Sequence, residues 1–94
     1  MKIEVSRAAE HDLGQVFLDG CRKFGVDQAD AYLRELTLSL HDLAEFPFAD
    51  PVINSNGLRL RIHTHRSHIV IYRAEGARIE ILRIRHAHED WKDT

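Results

Sequence analysis

The sequence predicts an α+β domain with an N-terminal strand, an antiparallel two-helix hairpin, and then a three-stranded antiparallel meander, all in one sheet (β-α-α-β-β-β). Three observations predict it. Two stretches separated at Gly25 carry apolar residues at steps of three and four, the period of helices with one buried face. Beyond Gly57 the apolar period changes to two, the mark of strands. The chain has 94 residues, enough for one hydrophobic core and too few for two domains.

Lys2-Ile3-Glu4-Val5 alternates polar and apolar side chains and reads as a short strand. Ser6 then suits an N-cap, because its hydroxyl accepts from a backbone N–H that the first helical turn leaves unpaired. In the first helix Ala9, Leu13, Val16, Phe17, Gly20 and Phe24 share a face, while Glu10, Asp12, Gln15, Asp19, Arg22 and Lys23 are expected to look outward. Gly25 ends it, since glycine takes a left-handed C-cap without steric cost. Asp27 is expected to cap a second helix with a stripe of Ala29, Leu33, Leu36, Leu40 and Leu43, stopped by Phe46-Pro47. Tyr32 and Leu38 fall away from that stripe. So short a connection folds the helices back on each other.

Phe48 to Asn56 is dense in turn formers and reads as a surface loop. The first meander strand, Leu58 to Thr64, is expected to point Leu58, Leu60 and Ile62 inward and Arg59, Arg61 and His63 outward, the pattern of an antiparallel strand with one dry face. The second, His68 to Arg73, holds the continuous run Ile69-Val70-Ile71-Tyr72 and should be central, with both faces buried. Ala74-Glu75-Gly76-Ala77 is a turn signal. The third strand, Arg78 to Arg85, changes phase, with Ile79 and Ile81 on one face and Leu82 and Ile84 on the other. Two helices cover only one face of a sheet. Either a partner or the C-terminal tail covers the second face, or a β-bulge near Leu82 restores the phase.

Composition narrows the function classes. With 44% hydrophobic and 30% charged residues the chain is a folded, soluble type, and no apolar run reaches the ~18–20 residues of a membrane span. Lys2 to Val5 lacks the apolar core of a secretory signal, and Cys21 is the lone cysteine, so a reducing, cytoplasmic setting is expected. Cys21 reads as a packing residue beside the first helix's apolar stripe. Charge is uneven: residues 1–56 carry five Lys/Arg against ten Asp/Glu, residues 57–94 eight against five, and five of the seven histidines lie in the second part. An acidic partner surface or polyanion would be drawn there, more so at mildly acid pH.

The pieces in order are a strand, a helical hairpin closed by Leu43-Ala44-Glu45-Phe46-Pro47, then Gly57-Leu58-Arg59, His68-Ile69-Val70-Ile71-Tyr72-Arg73 and Ile81-Leu82-Arg83-Ile84-Arg85-His86 before Asp90-Trp91. From Ala9 to Trp91 this resembles the ParE branch of the ParE/RelE toxins, the toxic halves of type II toxin–antitoxin modules. No piece is diagnostic alone; their combined order and spacing carry the resemblance.

The resemblance implies a single ParE-like domain over residues 1–94 with a short tail from residue 86. It also implies a toxin that inhibits DNA gyrase without itself being an enzyme, using no cofactor and no metal. A ParD-like antitoxin would neutralise it by covering apolar surface, for which Tyr32, Leu36, Leu40, Val70, Tyr72, Leu82, Ile84 and Trp91 are the candidates. Arg59, Arg61, Arg83, Arg85 and His86 are the candidate target contacts, and charge reversal at Arg83 or Arg85 is expected to remove toxicity while sparing the fold. No membrane association is expected, nor direct nucleic-acid binding without a partner. The alternative is the RelE branch, whose members cleave mRNA on the ribosome with basic residues and often a C-terminal tyrosine. Acid–base cleavage of RNA needs a group that titrates near neutrality and cations for the phosphorane charge. Here no lysine lies between Lys23 and Lys92 and no tyrosine follows Tyr72, which weakens that reading.

His63 and His65 share a strand face, His68 follows across a turn, and His86 and His88 repeat the spacing. Three of them would suffice to sketch a zinc site, but without cysteine support the histidines of the turns read as solvated, with His86 the exception because it ends the family-like motif. Trp91 is read as stapling the tail to the domain or to the antitoxin, and Asp90 as a neighbour for Arg83 or Arg85.

Overall fold

Ser6 sets the first junction in a computed structural model that describes residues 1–88. Its side chain accepts from the Ala9 N–H at 3.0 Å and donates to the Leu82 carbonyl at 2.8 Å, so one hydroxyl both caps α1 and ties it to the sheet. The order is β1 (Lys2–Val5), α1 (Arg7–Phe24), α2 (Val26–Glu45), β2 (Val52–Ser55), β3 (Leu58–His65), β4 (His68–Glu75) and β5 (Arg78–His86). Gly25 alone separates the helices, at φ 87°, and its N–H closes α1 on the Cys21 carbonyl. That single-residue connection makes Gly25 also the N-cap of α2; Asp27 lies in the first turn and makes no side-chain cap.

The five strands form one sheet in the order β1-β5-β4-β3-β2. β1 runs parallel to β5, while β2 to β5 form an antiparallel meander. The meander has four strands because β2 lies inside the stretch read as a loop. Asn56 and Gly57, at φ 50° and 81°, make the β2–β3 turn. Pairing Val52 to Ser55 with Leu58 to Arg61 turns those loop residues into strand.

Phase is restored by a bulge. Tyr72 stands opposite Ile81 and Ile71 opposite Arg83, which leaves Leu82 as the extra residue on β5. Ile79, Ile81 and Ile84 are thereby buried together with Val70 and Tyr72, against Ala9, Leu36, Leu40 and Leu43 of the helices. At roughly 1.5–3 kcal/mol for each large apolar side chain, this cluster is the main source of stability. Ile69 and Ile71, on the opposite face of β4, are also buried, with Arg85 and Arg83 as their cross-strand neighbours. β4 is central, as its continuous apolar run predicts.

Candidate interaction site

β1 has four residues and β5 nine, so the parallel pairing ends at Ile81 and the rest of β5 presents an edge without a strand partner. α1 caps that edge with polar side chains. Besides the Ser6 bond to Leu82, Asp12 accepts from the Ile84 N–H at 2.9 Å and from Arg83 Nε and an Arg83 terminal nitrogen at 2.8 and 3.1 Å. Asp12 is buried, against the outward orientation its helical position predicts. Burial opposes its ionisation, but the Arg83 and Ile84 hydrogen bonds, with the charges of Arg83 and Arg85, outweigh this and hold its pKa below the usual aspartate value.

A second polar node fixes the segment between α2 and β2. Asp50 Oδ2 accepts from the Tyr72 hydroxyl at 2.8 Å and lies 3.0 Å from His63 Nδ1, while Arg61 donates to the Asp50 and Phe48 carbonyls. The Arg61 guanidinium also lies 5.1 Å from the Phe48 ring centroid. Burial, then the hydrogen bond to Asp50 and its charge, push the Tyr72 phenol well above its ordinary range. The segment held in this way exposes Phe46 and Phe48.

The third feature is a cleft of about 580 Å³ where the helical hairpin meets the β3–β4 turn, floored by Val16, Gly20, Phe24 and Ala29 and walled by Tyr32, His68 and His86. Gly20 lets the two helices approach closely here, since a Cβ would stand 3.1 Å from that of Ala29, tighter than an ordinary contact. The Tyr32 hydroxyl lies 2.7 Å from His68 Nδ1 and 3.3 Å from the His65 carbonyl. The rings of His65, Tyr32, His68, His86 and His88 follow one another with centroids 5.3–5.6 Å apart. His65 and His68 are therefore packed against a tyrosine from α2, contrary to the solvated state expected of them, while His88 is exposed. Burial, together with Arg66 and His63, depresses the His65 pKa despite the opposing charge of Glu35. Among the described residues no group of three or more His, Cys, Asp or Glu is arranged to hold a metal ion.

The outer edge of β2 has no comparable cap. Alternate residues of an edge strand direct N–H and C=O away from the sheet. Val-Ile-Asn-Ser carries no charge, and among the described residues no hydrogen bond outside the β2–β3 pairing engages it.

The predicted antitoxin contacts need correction. Leu36, Leu40, Val70, Tyr72 and Ile84 are core residues, between 0% and 5% exposed: the α2 stripe packs on the inner face of β4, and the bulge brings Ile84 of the last strand into the same cluster. Burial removes them from the surface a docked chain can reach. Leu82 is half-buried at the bulge, and Tyr32, expected to point outward, is half-buried on the cleft wall. Trp91 and Asp90 lie outside the described residues; among the described residues Arg83 is bound by the carboxylate of Asp12.

The predicted target contacts are not brought together. Arg61 stands opposite Tyr72 and Arg83 opposite Ile71, so alternation sends them to opposite faces of the sheet. Arg59 is exposed, Arg61 is occupied by loop carbonyls, Arg83 by Asp12, Arg85 is half-buried, and His86 belongs to the ring chain. Arg66, Arg73 and Arg78 pair with Glu35, Glu80 and Glu4. The basic half is thus largely neutralised within the fold, which reduces its pull on a polyanion. Sequence reasoning missed Asp12 and the cleft; the length mismatch between the first and last strands was the available signal for the former.

Three comparisons bear on this architecture. The family described as "ParE toxin of type II toxin-antitoxin system, parDE" matches residues 3–91. Toxin ParE1 of Caulobacter vibrioides is 34% identical over 82 residues, covering 87% of this chain and 84% of that protein. A chain from the solved structure "Chromosomal ParDE TA system from P. aeruginosa" superposes with a TM-score of 0.79 over 92% of this chain and 95% of its own, at 21% identity, a likeness of fold.

Proposed function

This chain belongs to the ParE toxin family of type II toxin–antitoxin systems, and from that premise we propose that it inhibits DNA gyrase and is neutralised by a ParD-like antitoxin. The family match across residues 3–91 carries the reading. Two surface features support the antitoxin half of it. The cleft offers a concave apolar floor with polar groups on its walls, and the bare edge of β2 offers backbone donors and acceptors to an extended segment. Together they suit a partner that contributes both a helix and a strand. Exposed Phe24, Leu38, Phe46 and Phe48 extend the apolar area around them.

Action by binding rather than by RNA cleavage is supported by the state of the arginines. The Arg83 guanidinium is held by Asp12 and that of Arg61 by the Phe48 and Asp50 carbonyls, so neither is poised for a phosphodiester. A supercoiling assay with purified gyrase tests the proposal. Inhibition by the free chain, relieved by the antitoxin encoded beside it, is the expected result. Unimpaired supercoiling with prompt translational arrest and codon-phased mRNA cuts would transfer the chain to the RelE type of action.

A further inference from the structure

We propose that the segment beyond His88 folds back over the face of the sheet turned away from the helices, where Trp91 lies on Ile69 and Ile71 and straps the chain's own apolar surface. Two buried isoleucines with no helix above them carry the proposal. Ile69 and Ile71 are 5% and 7% exposed, yet neither belongs to the core cluster that the helices form with Val70, Tyr72 and Ile84. Alternation along β4 puts them on the opposite face. Both helices pack on the inner face, and the segment from Phe46 to Pro51 is held there too, by Asp50 on His63 and Tyr72.

The isoleucines are the centre of a larger apolar band. Ile62 pairs with Ile71 and Ile53 with Leu60, so Ile53, Leu60 and Ile62 share this outer face, with Leu58 at its end. Leu58, Leu60 and Ile62 thus point away from the helices, contrary to the inward orientation expected of them, because Ile62 is set opposite Ile71 and not opposite Val70. Strand side chains stand nearly perpendicular to the sheet, so cross-strand neighbours shield the flanks of an isoleucine and not its tip. Thr64 and Arg85 flank Ile69, and Ile62 and Arg83 flank Ile71. A cover from above has to be apolar at its centre and compatible with arginines beside it.

Residues 89–94, Glu-Asp-Trp-Lys-Asp-Thr, have that composition, one indole with three acids against one lysine. They lie outside the described residues, but the point from which they start is fixed. The Ala87 N–H donates to the Ser67 carbonyl at 2.8 Å, at the end of β4 nearest Ile69, and the chain turns at residues 87–88. Ile69 and Ile71 stand two and four positions from Ser67, about 7 and 13 Å along the strand. Trp91 is four residues beyond Ala87, a reach of up to about 14 Å. A reversal at the turn therefore carries the indole to the isoleucines and brings Glu89 and Asp90 to the side of the sheet that bears Arg85. The cleft on the other face suits an acidic segment less well, because its walls carry Asp19 and Glu35 as well as Lys23 and Arg66. The strap is a property of the chain alone and requires neither antitoxin nor gyrase. A partner reaches the outer face only by displacing the indole.

Trp91 is the only tryptophan, so its fluorescence and its nuclear Overhauser contacts report on the strap directly. In the full chain the indole protons are expected to show Overhauser contacts to the methyl groups of Ile69 and Ile71, with emission blue-shifted and acrylamide quenching well below that of the urea-unfolded chain. Ile62→Gln, at a half-buried position of the band, should raise quenching toward the unfolded level while keeping the far-ultraviolet circular dichroism of the parent. If that variant does not fold, the Overhauser contacts of the parent decide alone. Phe24→Ala on the cleft floor should leave quenching unchanged. An indole quenched as fully in the folded parent chain as in urea would overturn the strap. So would Overhauser contacts from the indole to Val16 or Phe24 in place of the isoleucines, which would seat the tail in the cleft.

Discussion

Asp12 and Arg83 form a two-point ion pair, 2.8 and 3.1 Å long, in which the same carboxylate also accepts the backbone N–H of Ile84. One side chain of α1 thus replaces the strand that β1 is too short to supply. Asp12→Ala leaves the Ile84 N–H without its acceptor and takes from Arg83 the carboxylate that it grips at two points. A loss of about 1–3 kcal/mol is expected, at the lower end of what a buried pair loses because Arg83 is 40% exposed. Asp12→Asn should lose less, since an amide oxygen still accepts from Ile84. Urea denaturation of both variants measures the difference. The Asp12 pKa is lower in the fold than the ordinary aspartate value of 3.8, so its contribution is present above that value and disappears as pH falls through the folded pKa. The acid limb of the stability profile should flatten in Asp12→Ala.

Tyr72→Phe removes a hydroxyl that donates to Asp50 from within the core. The expected loss is about 1–2 kcal/mol, with the Phe46–Phe48 segment loosened because Asp50 keeps only His63 and the backbone bonds of Arg61. The phenol's pKa is raised in the fold, so its stabilisation is intact below about pH 10, the ordinary tyrosine value, and declines above it as the unfolded chain ionises first. Thermal unfolding between pH 8 and 11, set as experimental bounds of about this value, should show an alkaline decline in the parent that is weaker in Tyr72→Phe.

Leu36 and Leu38 lie two residues apart on α2, one fully buried and the other 64% exposed. Leu36→Ala should cost about 2–5 kcal/mol and reduce every activity through folding. Leu38→Ala should stay within about 0.5 kcal/mol of the parent. Weakened antitoxin capture by a fully folded Leu38→Ala chain in a pull-down would place the outer face of α2 in the complex; unchanged capture would remove it.

Arg59 is a cleaner site for charge reversal than Arg83, whose loss would also strip Asp12 of its partner. Arg59→Glu is expected to leave the unfolding midpoint unchanged and to weaken gyrase inhibition at least tenfold if the basic strand meets the target. A folded Arg59→Glu chain with full potency in the supercoiling assay would take this residue out of the contact.

The helices, the central strand and the sheet were legible because each follows from a repeat along the chain, whether leucines at steps of three and four or the unbroken Ile69–Tyr72 run. What escaped depends on contacts between distant segments. Asp12 lies on the polar side of a helical wheel, and only the proximity of α1 to the end of β5 makes that side an interior one. Tyr32 likewise becomes a wall residue only when the β3–β4 turn folds beneath it. The bulge shows a further limit. Leu82 broke the alternation visibly, but whether a partner or an extra residue resolved the mismatch was decided by pairing with Tyr72 and Ile71. Val52 to Ser55 reads as turn by composition, yet the Asn56-Gly57 turn folds it onto β3.

The parallel pairing of Lys2–Val5 with Arg78–Ile81 joins the first of the described strands to the last. A growing polypeptide cannot complete this sheet halfway through translation, because β1 must wait for β5, its strand neighbour among the described residues, to emerge. A product cut short before Arg78 lacks the strand that joins β1 to the meander.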